Sequence, residues 1–395
     1  MKISIIGCPF RTTYGWYISS LRKALASVGG AMVMWVASNC GCGDPIEAAR
    51  NFQAEAAEDA DYFEMRTYNY DRKMNPIKAA VRAPIRQVTN VLHAAQFAQR
   101  SAAAEVNHVE QTLGAYASAI TFDFLRRPSN AARVVTVHEL DTEQTDRPET
   151  NLTYNLADAV IVHDSWMKEK LVGYGVDADR INVVCCGTDL TEGASALRDG
   201  IAFYGGHNFN KGKGLAVLLQ AAKLLKERNG QAPRIRIHGH FGPSAPADQL
   251  ALPAQYGLEN DVEWLNEISM PDIADLYQRS QALVLPYSGS FGGLAVGFAA
   301  ANRLPVIATR FAGIPDALGD LGIWITGDDA NELADRLQAV LSDVAASADL
   351  GARLRAHAEQ RLGWDAIARD TLNVYQAALA RSAQRLGRDA VATAT

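Results

Sequence analysis

The sequence predicts an α/β protein of two doubly wound, parallel-sheet domains, and three observations predict it. Short apolar or β-branched runs alternate with longer stretches of helical spacing, the pattern of parallel strands joined by helices. That rhythm restarts near residue 200. There Ile201-Ala202-Phe203-Tyr204-Gly205-Gly206 reads as a new first strand opening into a glycine-rich turn.

In the first half the strand candidates are Ile3–Gly7, Ala31–Val36, Val134–Val137 and Ala159–His163. Between the first two, Leu21, Leu25 and Val28 recur at helical spacing within Trp16–Val28. Asp164 or Ser165 reads as the N-cap of a helix through Met167 to Leu171. In the second half the strands are Ile201–Gly205, Arg234–His238, Val262–Leu265, Ala282–Pro286 and Pro305–Ala308, with Leu215–Arg228 and Ile273–Arg279 as helices between them. The small, polar segment Thr191–Ala196 reads as a linker. The expected division is therefore 1–196, 197–365, and a last helix with tail at 366–395 that can return to the first domain. Arg381–Thr395 reads as a fraying end.

Composition narrows the function. The 395 residues are 48% hydrophobic and 21% charged, enough to bury sizeable cores, and the formal net charge of -6 argues against coating nucleic acid. The cysteines Cys8, Cys40, Cys42, Cys185 and Cys186 fit neither a disulfide framework nor a zinc pattern and point to reduced thiols in a cytoplasm. The chain opens on a strand rather than a signal peptide, and no apolar run reaches the ~20 residues of a membrane span. No Asp-x-Asp, His-Glu-x-x-His or cysteine cluster supports a metal, so a metal-independent site without a cofactor is expected.

The most informative stretch is Ala282–Asp316, which reads strand, glycine-rich loop, helix, strand, turn. Its loop, Ser288-Gly289-Ser290-Phe291-Gly292-Gly293-Leu294, opens onto a helix of small residues. A helix N-terminus presents unpaired N–H groups and a positive dipole end, and glycines let a phosphate approach them; a tight turn that needs glycine is the competing reading. His138 ends a strand, where ligand sites of open α/β sheets gather, and His108 is a similar strand-end candidate. His163 reads as closing a strand and no more. Gly15 supplies an amide at a helix start, or is simply a convenient residue in a helix capped by Thr12 or Thr13.

Ala282–Asp316 resembles the donor-binding signature of the retaining glycosyltransferase family 4, the group 1 glycosyl transferases with the GT-B fold. Ser290-Phe291-Gly292-Gly293-Leu294 takes the place of that family's Glu-Gly-Phe-Gly-Leu loop, Arg303–Thr309 of its Gly-x-Pro-Val-Ile-Ala-Thr strand, and Ala312–Asp316 of the following turn. Tyr204-Gly205-Gly206 through Lys213-Gly214 resembles the diphosphate element, Val183–Asp189 the domain junction, Val135–Leu140 the Thr-x-His-Asp strand end, and Trp364 with Ala366 and Ile367 the start of the last helix.

The resemblance implies two Rossmann-like domains facing each other across a cleft, acceptor in the first and nucleotide sugar in the second. It implies transfer to an acceptor hydroxyl with retention, in bacterial-type surface polysaccharide or glycolipid assembly. Lys213 and His138 take the catalytic roles, with Lys211 and the loop amides on the diphosphate and backbone near His238-Gly239 on the base. Two features depart from the pattern. Ser290 and Phe298 stand where the family has glutamates, and His207 or Asn208 where it has a diphosphate arginine; neither replacement makes a guanidinium's two-pronged contact. Either the chain reads a different donor, which the surviving glycines and Lys213 favour, or it is a non-catalytic sugar-nucleotide-binding homologue. A sugar-nucleotide epimerase of the same fold is the less favoured alternative, because it needs an acid–base pair that the sequence does not show.

One stretch stands apart. In Asn75–Arg100, Ile77, Val81, Ile85, Val88 and Leu92 form an apolar stripe beside Lys78, Arg82 and Arg86, with Pro84 inside. Such a helix can lie on an anionic membrane, the inner face of the cell membrane for a cytoplasmic chain, and meet a lipid-linked acceptor. The more ordinary arrangement packs the stripe on the sheet.

Overall fold

The structure is a computed structural model that describes residues 1–7, 12–38, 60–63, 76–111, 115–138, 140, 153–191, 193, 198–206, 211–239, 247–266, 268–288 and 293–393. The chain divides into two compact units, Met1–Val184 with Ile367–Thr395, and Cys185–Ala366. The division falls at Val184–Cys185, ahead of the composition shift near 196, because Thr188 already bonds into the second unit, bridging Gly363 and donating to Leu362 O.

Unit 1 is built on a seven-stranded sheet of order β3-β2-β1-β4-β5-β6-β7. The strands are β1 (Lys2–Gly7), β2 (Met32–Ser38), β3 (Ala60–Phe63), β4 (Val106–Gln111), β5 (Ala132–Val137), β6 (Ala159–Val162) and β7 (Ile181–Val183), and every pairing is parallel. Its helices are α1 (Thr12–Gly29), α2 (Pro76–Arg100), α3 (Ala115–Leu125) and α4 (Ser165–Gly173). A parallel sheet covered on both faces needs near-continuous apolar strands, and β5 and β6 are buried along their whole length. Leu21 and Leu25 of α1 are buried, as their spacing predicts. Asp164 caps α4, its carboxylate accepting from Met167 N at 2.6 Å.

Unit 2 has a six-stranded sheet of order β10-β9-β8-β11-β12-β13. These strands are β8 (Ile201–Gly206), β9 (Ile235–Gly239), β10 (Val262–Leu265), β11 (Ala282–Leu285), β12 (Val306–Thr309) and β13 (Ile323–Ile325), again parallel throughout. The main helices are α5 (Leu215–Asn229), α6 (Met270–Arg279), α7 (Gly293–Ala301), α8 (Ile314–Leu318), α9 (Ala330–Ser342) and α10 (Val344–Arg361). Leu218, Leu219, Ala222 and Leu225 of α5 meet Leu333 and Leu337 of α9 in one core with Phe203, Ile237 and Val284. Ser269 and Asp329 cap α6 and α9, and Arg355 of α10 donates to Ala301 O at 2.9 Å, satisfying the end of α7.

The last helix, α11 (Trp364–Thr393), corrects the expectation of a fraying end: its later turns belong to unit 1. Arg381 donates to Asp158 O at 3.1 Å and Arg385 Nε to the buried Asp158 carboxylate at 3.2 Å, so basic residues that read as a solvated tail are anchors.

Candidate functional site

Strand order reverses between β8 and β11 in unit 2. Ligands of open α/β sheets bind outside the strand ends at such a switch point. The residues found there are Tyr204–Gly206 at the end of β8, the 3₁₀ turn Lys211–Lys213, Tyr287 and Ser288 after β11, and the first turn of α7. Lys213 is buried, its Nζ 4.4 Å from the ring centre of Tyr287 and 5.7 Å from that of Tyr204. A Cβ on Gly206 would stand 2.9 Å from that Nζ. The ammonium is therefore held between two aromatic faces directly against the β8 backbone.

The cage is itself fixed. Tyr287 Oη donates to Tyr204 O, Thr309 Oγ1 donates to Tyr287 O at 2.6 Å, and Ser288 N donates to Gly212 O at 2.8 Å. Gly214 follows Lys213 with φ +74°, and a Cβ there would collide with the Pro286 carbonyl oxygen. Only glycine lets the two loops close to this distance.

Of the other residues expected here, Gly293 and Leu294 are the first two of α7, Ser288 is exposed, and Lys211 points outward, 3.7 Å from Asp248. His238 is buried, bonded through Nε2 to Tyr277 Oη at 3.0 Å, and burial lowers its pKa to about 3, so it is a neutral support rather than a charged contact. A Cβ on Gly239 would stand 2.8 Å from Gly206 N, a close approach that ties β9 to β8 at the same end. Phe298 is buried in α7, so an apolar side chain fills the position where the resemblance has a glutamate. His207, Asn208, Ser290, Phe291 and Gly292 lie outside the described residues.

In unit 1 the reversal lies between β1 and β4. Gly15 sits in the first turn of α1. His138, directly after β5, bonds through Nε2 to Glu110 Oε2 at 2.6 Å and through Nδ1 to His163 Nε2 at 2.9 Å. His163 Nδ1 in turn meets Val184 O at 3.0 Å, so His163 does more than close a strand. His108 corrects another expectation. It lies within β4 rather than at its end and is fully buried, bonded to Tyr375 Oη at 2.7 Å and Thr136 Oγ1 at 2.6 Å, so it faces no acceptor or membrane. Glu110, absent from the sequence candidates, had one signal: it is a carboxylate near the end of a strand that pairs with β5.

Helix α2 overturns the ordinary arrangement of its stripe. Ile85, Val88 and Leu92 are exposed, while Asn90, His93, Ala94 and Phe97 are buried. The side chains of Ile77, Lys78, Val81, Arg82 and Arg86 lie outside the described ones. Among the described residues no helix is long and apolar enough to cross a membrane, and no group of three or more His, Cys, Asp or Glu is placed to hold a metal.

Comparison with known proteins shows the family and the fold. The family model described as Glycosyltransferase Family 4 matches residues 64–192, and that described as Glycosyl transferases group 1 matches 198–343, together more than half of the chain. A D-inositol 3-phosphate glycosyltransferase of Pseudarthrobacter chlorophenolicus is 31% identical over 225 residues, 53% of this chain and 53% of its own. The chain thus spans about half the length of the curated relatives it matches. Among solved structures, sucrose-phosphate synthase of Thermosynechococcus elongatus superposes with TM-score 0.71 at 20% identity, covering 95% of this chain and 98% of that one. The Anabaena protein HepE, solved with UDP-glucose, superposes with TM-score 0.66 at 15% identity over 98% of this chain and 100% of its own. The fold is the GT-B fold, and the chain belongs to the group 1 glycosyl transferases of glycosyltransferase family 4.

Proposed function

We propose that the protein moves a glycosyl unit from a nucleotide diphosphate sugar to an acceptor hydroxyl, with retention at the anomeric carbon and without a metal. One observation carries the reading. A buried lysine, caged by Tyr204 and Tyr287, sits at the unit 2 switch point, at the end of β11 from which the chain runs on to the start of α7. An ammonium and the amides of a helix start that follows the same strand suit a diphosphate and the charge it gains on leaving. The HepE complex with UDP-glucose makes a UDP-sugar the first donor to test. The inositol phosphate relatives and the exposed α2 stripe make an inositol phosphate and a lipid-linked saccharide the first acceptors.

The same stripe supports peripheral contact with an anionic membrane surface. The buried Phe298 favours a second reading, a homologue that binds sugar nucleotides without turning them over. Incubation with UDP-, GDP-, ADP- and dTDP-sugars, with inositol phosphate or cell lipid extract as acceptor, separates the two by mass spectrometry. A glycosylated product supports transfer, and its anomeric configuration tests retention. Donor binding with neither product nor hydrolysis supports the second reading.

A further inference from the structure

Two neighbouring strand ends of unit 2, and a turn pinned to them, build the seat of Lys213. Tyr204 lies in β8, and Tyr287 follows β11, which pairs with β8 in the register Val284 to Phe203. Lys213 ends the 3₁₀ turn Lys211–Lys213, and the bond from Ser288 N to Gly212 O fastens that turn to the end of β11. The lysine is 3% exposed and Tyr287 1%. Its Nζ stands over the Tyr287 ring, 4.4 Å from the centre, and over the Tyr204 ring at 5.7 Å, both within the ~6 Å reach of a cation–ring attraction.

Both rings are held in place. Tyr287 is tied at its two ends: its carbonyl accepts from Thr309 Oγ1 at 2.6 Å, and its hydroxyl donates to Tyr204 O. Tyr204 is braced by His238, its partner in β9, whose ring lies 4.9 Å away. His238 is fixed in turn, its Nε2 bonded to Tyr277 Oη at 3.0 Å.

The amine is also aimed. A Cβ on Gly206 would meet Nζ at 2.9 Å and Cε at 3.3 Å, so the amine occupies the space directly over the last residue of β8. Any side chain at 206 would take that seat. Strand order reverses between β8 and β11, so this is the end at which open α/β sheets bind ligands. The kind of neighbour matters here. A carboxylate cancels the charge of a lysine, and an aliphatic wall packs its stem but leaves the amine without attraction. An aromatic face attracts the ammonium through its quadrupole and leaves the charge available to an anion.

We propose that Tyr287 and Tyr204 are positioning residues whose ring faces hold the Lys213 ammonium over Gly206 for an anionic ligand, so that phosphate affinity depends on the electron density of the rings as well as on their bulk. Tyr287 contributes more, being nearer and fixed at both ends. The assignment of that ligand as the donor diphosphate rests on the glycosyl-transfer reading above; the cage does not.

Carbon-13 NMR of the full-length protein labelled at lysine reads the cage without a donor, with Lys213→Met giving the assignment. Ring currents should move the Lys213 methylene protons beside Nζ well upfield of those of the other lysines. Tyr287→Leu should return them most of the way, and Tyr287→Phe should not. An ordinary position in the wild type overturns the cage. Titration with inorganic diphosphate and with UDP-glucose then reads its use, and binding of neither probe by the wild type overturns the positioning role. At position 287, phenylalanine and its mono-, di- and trifluorinated forms keep nearly one shape while the ring face loses its partial negative charge. Affinity for the probes should fall steadily along that series, roughly 5- to 30-fold from first to last. Equal affinity along the series, with the loss confined to Tyr287→Leu, shows a ring that only fills space and overturns the proposal. Should Tyr287→Phe not fold, the same series at Tyr204 gives the reading from the other face. Graded binding of inorganic diphosphate by a protein that binds no nucleotide sugar supports the cage and overturns the donor-site reading instead.

Discussion

Placing charge on the exposed face of α2 tests whether it meets a membrane. Ile85, Val88 and Leu92 are 46%, 60% and 52% exposed. Burying such a side chain fully is worth about 1.5–3 kcal/mol, so moving the remaining half of each into the acyl boundary yields about 1 kcal/mol apiece and about 3 kcal/mol in all. The double substitution Ile85→Glu with Val88→Glu removes about 2 kcal/mol of that and turns two carboxylates toward anionic headgroups, for a loss of roughly 30-fold or more in partitioning. About half of each side chain already faces water, so the fold should lose no more than about 1 kcal/mol for each, which a urea denaturation of the variant checks separately. Sedimentation with vesicles of anionic phospholipid at low salt measures the difference. Equal partitioning of variant and wild type, or no binding by the wild type, refutes the membrane assignment.

Two further perturbations follow from the same geometry. Gly214→Ala places a Cβ against the Pro286 carbonyl at a φ of +74°, so it should destabilise unit 2 by about 1–3 kcal/mol and weaken donor binding, read by urea denaturation and calorimetry. An unaltered denaturation midpoint contradicts the close approach. Acid should also destabilise the fold well before the carboxylates protonate. His93 and His163 are lowered to about 4 and His238 to about 3, chiefly by burial. Between about pH 6.5 and 4 the unfolded chain therefore binds more protons than the folded one, and stability falls as pH falls, on the order of 1 kcal/mol per pH unit for each. Glu110, held at about 2, extends the loss below pH 4.5. Urea midpoints at pH 7, 6 and 5 should decline in that order; a flat series contradicts the buried neutral histidines.

Local pattern carried much of this fold. The apolar runs of β5, β6, β11 and β12 and the cap at Asp164 are visible because each depends on neighbours a few residues away. Strands β7 and β13, three residues each, are too short to announce themselves and form by pairing with β6 and β12. The α2 spacing defines an apolar stripe but not its direction, which packing decides by burying His93 and Phe97 instead.

At the site, Lys213 and the start of α7 are legible as a lysine and a glycine-rich turn. Its aromatic cage is not, since Tyr204 and Tyr287 belong to chain segments that only the switch point brings together. The unit 1 cluster is further from view. Glu110, His138 and His163 come from three segments, and strand order alone sets them side by side. Titratable residues at the ends of strands that become neighbours are the signal that reveals such a cluster once the order is known.

The central claim is that a nucleotide diphosphate sugar binds in unit 2 with its diphosphate on Lys213. Isothermal calorimetry of the tightest-binding nucleotide sugar against wild type and Lys213→Met tests it most directly, since methionine keeps the buried stem and removes only the charge. A hydrogen bond to a charged group is worth about 1.5–3 kcal/mol, so a folded Lys213→Met should bind the donor roughly 10- to 150-fold more weakly. Unchanged affinity in a folded variant contradicts the claim.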